Sequence, residues 1–286
     1  MLTVELQGGL GNQLFQIFAT IAAAFDNRIQ FVLPTHKRDT HSAGGASRPT
    51  YWDNLFVPLQ NFLSPVPFKG PTYIERGFHH TPLPALISRQ HVRLLGYFQS
   101  PKYFERHYDK ISKLLRLEAQ RSDVYLESKC LHKEWKDQTL ISMHFRIGDY
   151  IATAHRDAHP IQNYEYYEKA LHHILSVIPS TNSQPKVLYF CEQNDEDVVE
   201  HIVNRLRETY DAVAFERVSY DVPDWKQMLM MSCCNHHIIA NSSFSWWGAY
   251  LNPCTTKIVC YPSKWFGPAL PNHDTRDLFP EEWVKT

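Results

Sequence analysis

Residues 2–34 run strand, glycine turn, helix, strand, an order that few folds can accommodate. LTVELQ (2–7) has the pattern of a strand and GGLGNQ (8–13) that of a turn. LFQIFATIAAAF (14–25) reads as a helix apolar nearly all round, which must therefore be buried, and IQFVLP (29–34) reads as a strand closed by Pro34. The rhythm continues down the chain. HVRLLGYFQS (91–100) predicts a strand running into a turn, and PKYFERHYDKISKLLRL (101–117) a helix with Pro101 at its start. Helical spacing returns over 163–178, followed by strand KVLYFC (186–191) and helix 195–210, with acids in the helix's first turn. DWKQMLMMSCC (224–234) predicts a helix, HHIIA (236–240) a short buried strand, SWWGAYLN (245–252) a helix stopped by Pro253, and KIVCYP (257–262) a last strand.

Residues 35–50 are polar and predict a surface loop, and the prolines of 58–84 predict irregular connection. The stretch 121–138 is charged and weakly patterned, and the expected boundary falls near 125–138. The predicted fold class is therefore α/β: two Rossmann-like, doubly wound domains, 1–132 and 133–286, facing each other across a cleft.

With 286 residues and 43% hydrophobic content, the chain can bury a sizeable core. A net charge of −1 argues against broad nucleic-acid binding, so any polyanion site must be local. The six cysteines form no C-x-x-C pair and read as reduced core residues. The start lacks a signal-peptide profile, and the longest apolar stretch is too short to span a bilayer, so a cytoplasmic protein without a membrane span is expected. On that expectation the sequon at Asn241–Ser243 is a chance match.

Chemistry concentrates in three places. HFRIGDY (144–150) ends a predicted strand: Ile141, Met143, Phe145 and Ile147 alternate with Ser142, His144 and Arg146, so one face packs and the other presents His144 and Arg146. Gly148 and Asp149 then turn the backbone at the edge where α/β sheets bind ligands. Arg146 either meets a phosphate there or pairs structurally with Asp149. The loop holding Gly9, Gly11, Asn12 and Gln13 lies between strand and helix, where backbone N–H groups favour an anion; a plain tight turn is the alternative. Asn241, Ser242, Ser243 and Phe244 lie at another helix entrance and carry more hydroxyl and amide groups than capping requires. Asp195-Glu196-Asp197 has the form of a metal-holding D-x-D, although acids opening a helix also suit its dipole. The paired histidines lack zinc-site spacing.

GGLGNQLFQ, LLGYFQSPKYF (94–104), HFRIGDY and ANSSFSWWGAYLN (240–252), in that order, resemble the motifs of the α-1,2-fucosyltransferase family of bacteria and animals. The resemblance implies a GT-B fold, GDP-fucose as donor substrate bound by the second domain, a β-galactoside acceptor on the side of the first, inversion at the anomeric carbon, and neither metal nor cofactor. By similarity Arg146 would hold the donor diphosphate with His144 beside it, and the glycine loop with Asn12 and the Ser242–Phe244 turn would face the same phosphates. Asp149 is the candidate base for the acceptor hydroxyl. Tyr97, Phe98 and Gln99 are candidate acceptor contacts, through ring stacking and amide bonds, or else core and turn residues. The chain departs from many members in having Ile147 where they carry a second arginine, and Phe190-Cys191-Glu192-Gln193 where they carry F-S-D-D. A non-catalytic sugar-binding module and a metal-dependent transferase using Asp195 and Asp197 are the competing expectations.

Overall fold

The computed structural model describes residues 1–36, 49–66, 68–84, 91–128, 138–148, 157–179 and 184–286. They form two compact units, Met1–Gln120 with Asn272–Pro280, and Arg121–Pro271 with Glu281–Thr286. The expected division after residue 132 falls outside the described residues; packing changes earlier, within the helix Leu117–Glu127 (α3). The return of 272–280 to the first unit carries no local signal in the sequence. Asp277 fastens it there, accepting from the His80 backbone N–H at 3.1 Å and from Lys102 Nζ at 2.5 Å.

In the first unit, β1 (Leu2–Val4) pairs in parallel with β5 (Val92–Leu95), and β5 with β4 (Thr72–Ile74). On the other side of β1, Leu2 bridges Phe31, and the chain continues into β2 (Leu33–Pro34), paired with β3 (Leu63–Ser64). Strands thus leave β1 in both directions. Helix α1 (Leu10–Asn27) is buried over its first four turns, as an all-round apolar sequence requires. Within the stretch 58–84 expected to be irregular, Thr72–Ile74 forms a strand. Three residues after Pro71 are too few to show a period, and only pairing with β5 makes them a strand.

The helix expected over 101–117 is broken into single turns at Pro101–Tyr103 and Glu105–His107 before α2 (Tyr108–Leu114). Phe104, between those turns at φ −140°, is fully buried, with its ring 5.2 Å from that of Phe18 and 6.1 Å from that of Phe15. Burying a phenyl group contributes roughly 1.5–3 kcal/mol, more than the ~1 kcal/mol of a helical hydrogen bond lost by the kink.

The second unit is built on a six-stranded parallel sheet in the order β11-β10-β9-β6-β7-β8. Its strands are β6 (Leu140–His144), β7 (Lys186–Phe190), β8 (Ala214–Arg217), β9 (His236–Ile238), β10 (Val259–Tyr261) and β11 (Val284–Lys285). They are joined by α4 (Tyr164–Val177), α5 (Glu196–Thr209), α6 (Asp224–Ser232) and α7 (Ser243–Tyr250). The chain runs outward from β6 to β8, then crosses back to β9 on the opposite side of β6. The switch point between β6 and β9 is where such sheets bind ligands.

β6 is buried on both faces, not the half-buried strand its alternation suggested. Ile141, Met143, Phe145 and Ile147 pack with Tyr167, Leu171 and Val187. On the other face, Ser142 Oγ lies 2.8 Å from His237 Nδ1, and His237 Nε2 lies 2.8 Å from Asn252 Nδ2. A central strand of a parallel sheet is covered on both sides, so its polar residues must pair internally. The five described cysteines are all free, and no described helix is long and apolar enough to cross a membrane.

Candidate functional site

At the switch point of the second unit, β6 delivers His144 and α7 begins with Ser243 and Phe244. The rings of His144 and Phe244 lie 5.5 Å apart, so two of the sequence motifs meet here. His144 is buried, and its Nδ1 has no hydrogen-bond partner among the described residues. Burial, helped by the charge of Arg146, lowers its pKa to about 3, so the imidazole is neutral at ordinary pH.

Arg146, with 16% of its side chain exposed, pairs through Nη1 with Glu192 Oε1 in the turn after β7. The alternative partner, Asp149, lies outside the described residues. Gly148, at φ +32°, donates its N–H to Asp195 Oδ2 at 2.8 Å, and the Asp195 N–H donates to the Glu192 carbonyl at 3.0 Å. Glu192 and Asp195 therefore brace the Arg146–Gly148 turn from the neighbouring strand, roles that sequence reasoning missed. The one available signal was Glu192 standing within the departed F-S-D-D stretch. The bracing also gives the first acid of the D-x-D a structural partner. Asp195 is buried against Gly148 while Asp197 is exposed, and no group of three His, Cys, Asp or Glu among the described residues could hold a metal ion. Burial pushes the Asp195 carboxyl above its ordinary pKa.

At the helix entrance, Ser242 is the cap, its Oγ accepting from the Phe244 N–H at 3.3 Å. Asn241 is buried and donates through Nδ2 to the carbonyls of Pro160 (3.0 Å) and Trp265 (3.2 Å). Its amide hydrogens hold loops together. Ser243 and Phe244, half-buried, form the first turn.

In the first unit, Gly9 precedes α1 without a side-chain cap, and Gly11 is buried in the first helical turn, so only the front of the glycine stretch is a loop. Gln13 is fully buried, donating to the carbonyls of Gly8 (3.1 Å) and Pro49 (2.9 Å). Its amide nitrogen thereby closes the loop. Gln16, unmarked by sequence, exchanges two bonds with the backbone of Gln7, at 3.0 and 3.2 Å.

Asn12, in the first turn of α1, accepts through Oδ1 from Nε2 of the buried Gln99 at 2.8 Å, joining the start of α1 to the turn after β5. Tyr97 is half-buried. Phe98 is a core residue, fully buried against Tyr103 with ring centroids 5.4 Å apart, which removes it from the acceptor candidates. Glu75, at the end of β4, accepts from the N–H groups of Tyr97 (2.7 Å) and Phe98 (3.0 Å).

The sequence profile of Glycosyl transferase family 11 matches residues 79–286. The chain belongs to this family. It is the α-1,2-fucosyltransferase family that the four motifs resemble, and the matched stretch contains the β5 turn, the Arg146 turn with its braces, and the start of α7. The glycine loop precedes it. An Escherichia coli alpha-1,2-colitosyltransferase is 26% identical over 305 aligned residues, covering 100% of this chain and 98% of its own. The E. coli O-antigen biosynthesis glycosyltransferase WbnK is 32% identical over 198 residues, 67% of this chain and 59% of its own. Among solved structures, E. coli ADP-heptose LPS heptosyltransferase II matches with a TM-score of 0.51 at 8% identity, covering 100% of this chain and 89% of that one. A mutant of Arabidopsis thaliana FUT1 in complex with GDP matches with a TM-score of 0.50 at 9% identity, over 98% and 74%. The fold of this family 11 glycosyltransferase is accordingly the expected α/β, GT-B class.

Proposed function

We propose that the protein moves L-fucose from GDP-fucose to the 2-hydroxyl of a terminal β-galactoside, with inversion, in the cytoplasm and without a metal ion or cofactor. The observation carrying this reading is His144 meeting Phe244 at the hydroxyl-capped start of α7, with Arg146, two residues further along, braced by Glu192. As the glycosidic bond to phosphate breaks, negative charge grows on the leaving diphosphate. Donors fixed in advance stabilise that charge without reorganising: the guanidinium of Arg146, the first N–H groups of α7 and the Ser243 hydroxyl. Glu192 braces the guanidinium through Nη1. His144, being neutral, contributes a hydrogen bond and no charge. The acceptor oxygen attacks opposite the leaving group and inverts the anomeric carbon, and Asp149 is the carboxylate proposed to take its proton. The acceptor is assigned to the first unit, where the Tyr97 ring and the Asn12 and Gln99 amides suit a hydroxyl-rich sugar.

Colitosyl transfer is a second reading, supported by the full-length similarity to the colitosyltransferase. Offering GDP-fucose and a nucleotide-activated colitose, each with and without a panel of β-galactosides, tests both. Acceptor-dependent GDP release with a fucosidase-sensitive, 2-linked product supports the first. Turnover of activated colitose alone transfers support to the second, and donor binding without turnover of either points to a non-catalytic module.

A further inference from the structure

We propose that Glu75 is the positioning residue of the acceptor side, holding the turn that presents Tyr97 and Gln99; this rests on the assignment of acceptor binding to that turn. Neither the motifs nor the family resemblance singles out Glu75. Its carboxylate accepts two consecutive backbone N–H groups, those of Tyr97 and Phe98, and Tyr103 OH approaches its other oxygen at 3.4 Å. Burial pushes the carboxyl above its ordinary pKa, while the Phe98, Tyr97 and Tyr103 bonds and the nearby His79 pull it back.

The grip accounts for two local peculiarities. A β-carbon on Gly96 would lie 2.4 Å from Glu75 Cβ and 2.6 Å from Oε2, so only glycine lets β4 and β5 close around the carboxylate. Phe98 has φ +53°, an unfavourable conformation for a bulky residue, which persists only when its surroundings impose it. Burial of its ring on one side and the bond from its N–H to Glu75 on the other do so. Past the left-handed residue the Ser100 N–H donates back to the Phe98 carbonyl at 2.8 Å, and the Gln99 side chain between them reaches Asn12. Glu75 thereby acts on substrate through the shape of the turn.

The test compares wild type with Glu75→Gln, which keeps the shape but loses the charge, and with Tyr103→Phe, a gentler variant that removes only the hydroxyl. Backbone amide exchange over 96–100 and Michaelis constants for both substrates are measured. Faster exchange at 96–100 with unchanged exchange at 144–148, and acceptor KM raised about tenfold at constant donor KM, is expected for Glu75→Gln. Tyr103→Phe gives the same pattern at smaller amplitude, and carries the test if Glu75→Gln does not fold. Unchanged exchange at 96–100 overturns the proposal, as does a fall in kcat with both KM values unaltered. A wild type inactive on every galactoside overturns the functional reading alone, because exchange still decides whether Glu75 holds the turn.

Discussion

The strand ends of the first unit meet through neutral amides, Gln99 on Asn12, whereas those of the second meet through charge, Arg146 on Glu192. The first unit contains a carboxylate as well, but Glu75 points at backbone N–H groups and shapes a turn. In the second unit the acids brace a cation. Amides offering both donors and acceptors suit uncharged sugar hydroxyls. A braced guanidinium suits a group whose negative charge grows during reaction. One α/β plan, with strands leaving a central strand in both directions, thus yields two chemically opposed mouths through the choice of a few residues at strand ends.

The sharpest way to break this contrast is Arg146→Ala. Turnover should fall by roughly 10²–10³ with melting behaviour preserved, on the scale of losing one preorganised donor to a developing charge. Initial rates at saturating substrates check it, and activity within tenfold of wild type removes the charged mouth from the mechanism. Gln99→Ala should act more weakly and on the other substrate, raising acceptor KM several-fold, as for loss of one neutral hydrogen bond, while donor KM stays fixed. A shift in donor KM instead would merge the two mouths into one function.

Acidification should cost the second unit stability. His144 and His237 are both buried in the second unit with pKa values held below the ordinary 6.5, to about 3 for His144. Below pH 6.5 the unfolded chain takes up protons that the folded histidines refuse, so their contribution is complete above that pH and declines beneath it. The decline approaches roughly 1.4 kcal/mol per pH unit per histidine, until the folded pKa is reached. Urea unfolding followed by the buried Trp246 and Trp247 at pH 7.5 and 5.0 measures it, and His237→Gln should flatten the dependence. A chelator should have the smallest effect of all. Activity unchanged in EDTA is expected, and chelator-sensitive turnover would favour the metal-dependent alternative.

Much of the plan was legible because local pattern reports it. An all-apolar helix must be buried, as α1 is, and turn residues mark where the ligand-binding strand ends lie. Patterning failed where a distant contact outweighed it. Phe104 interrupts a helix to pack on Phe15 and Phe18, and Thr72–Ile74 is a strand only because β5 lies beside it. Ser142 alternates as though solvent-facing, yet it is buried against His237.

The same divide runs through the site. Sequence alone determined the alternation of strands and helices in most of the chain, the family through its four motifs, and the strand-end segments that carry polar groups. Tertiary structure decided what each polar group does: Gln13 and Asn241 are engaged with the carbonyls of Pro49, Pro160 and Trp265, Asn12 is joined to Gln99, and Glu192 and Asp195 brace the Arg146 turn. A side chain's hydrogen-bonding capacity is written in its chemistry, but its partner is chosen when segments far apart in the chain come within 3 Å, and local periodicity holds no record of that meeting.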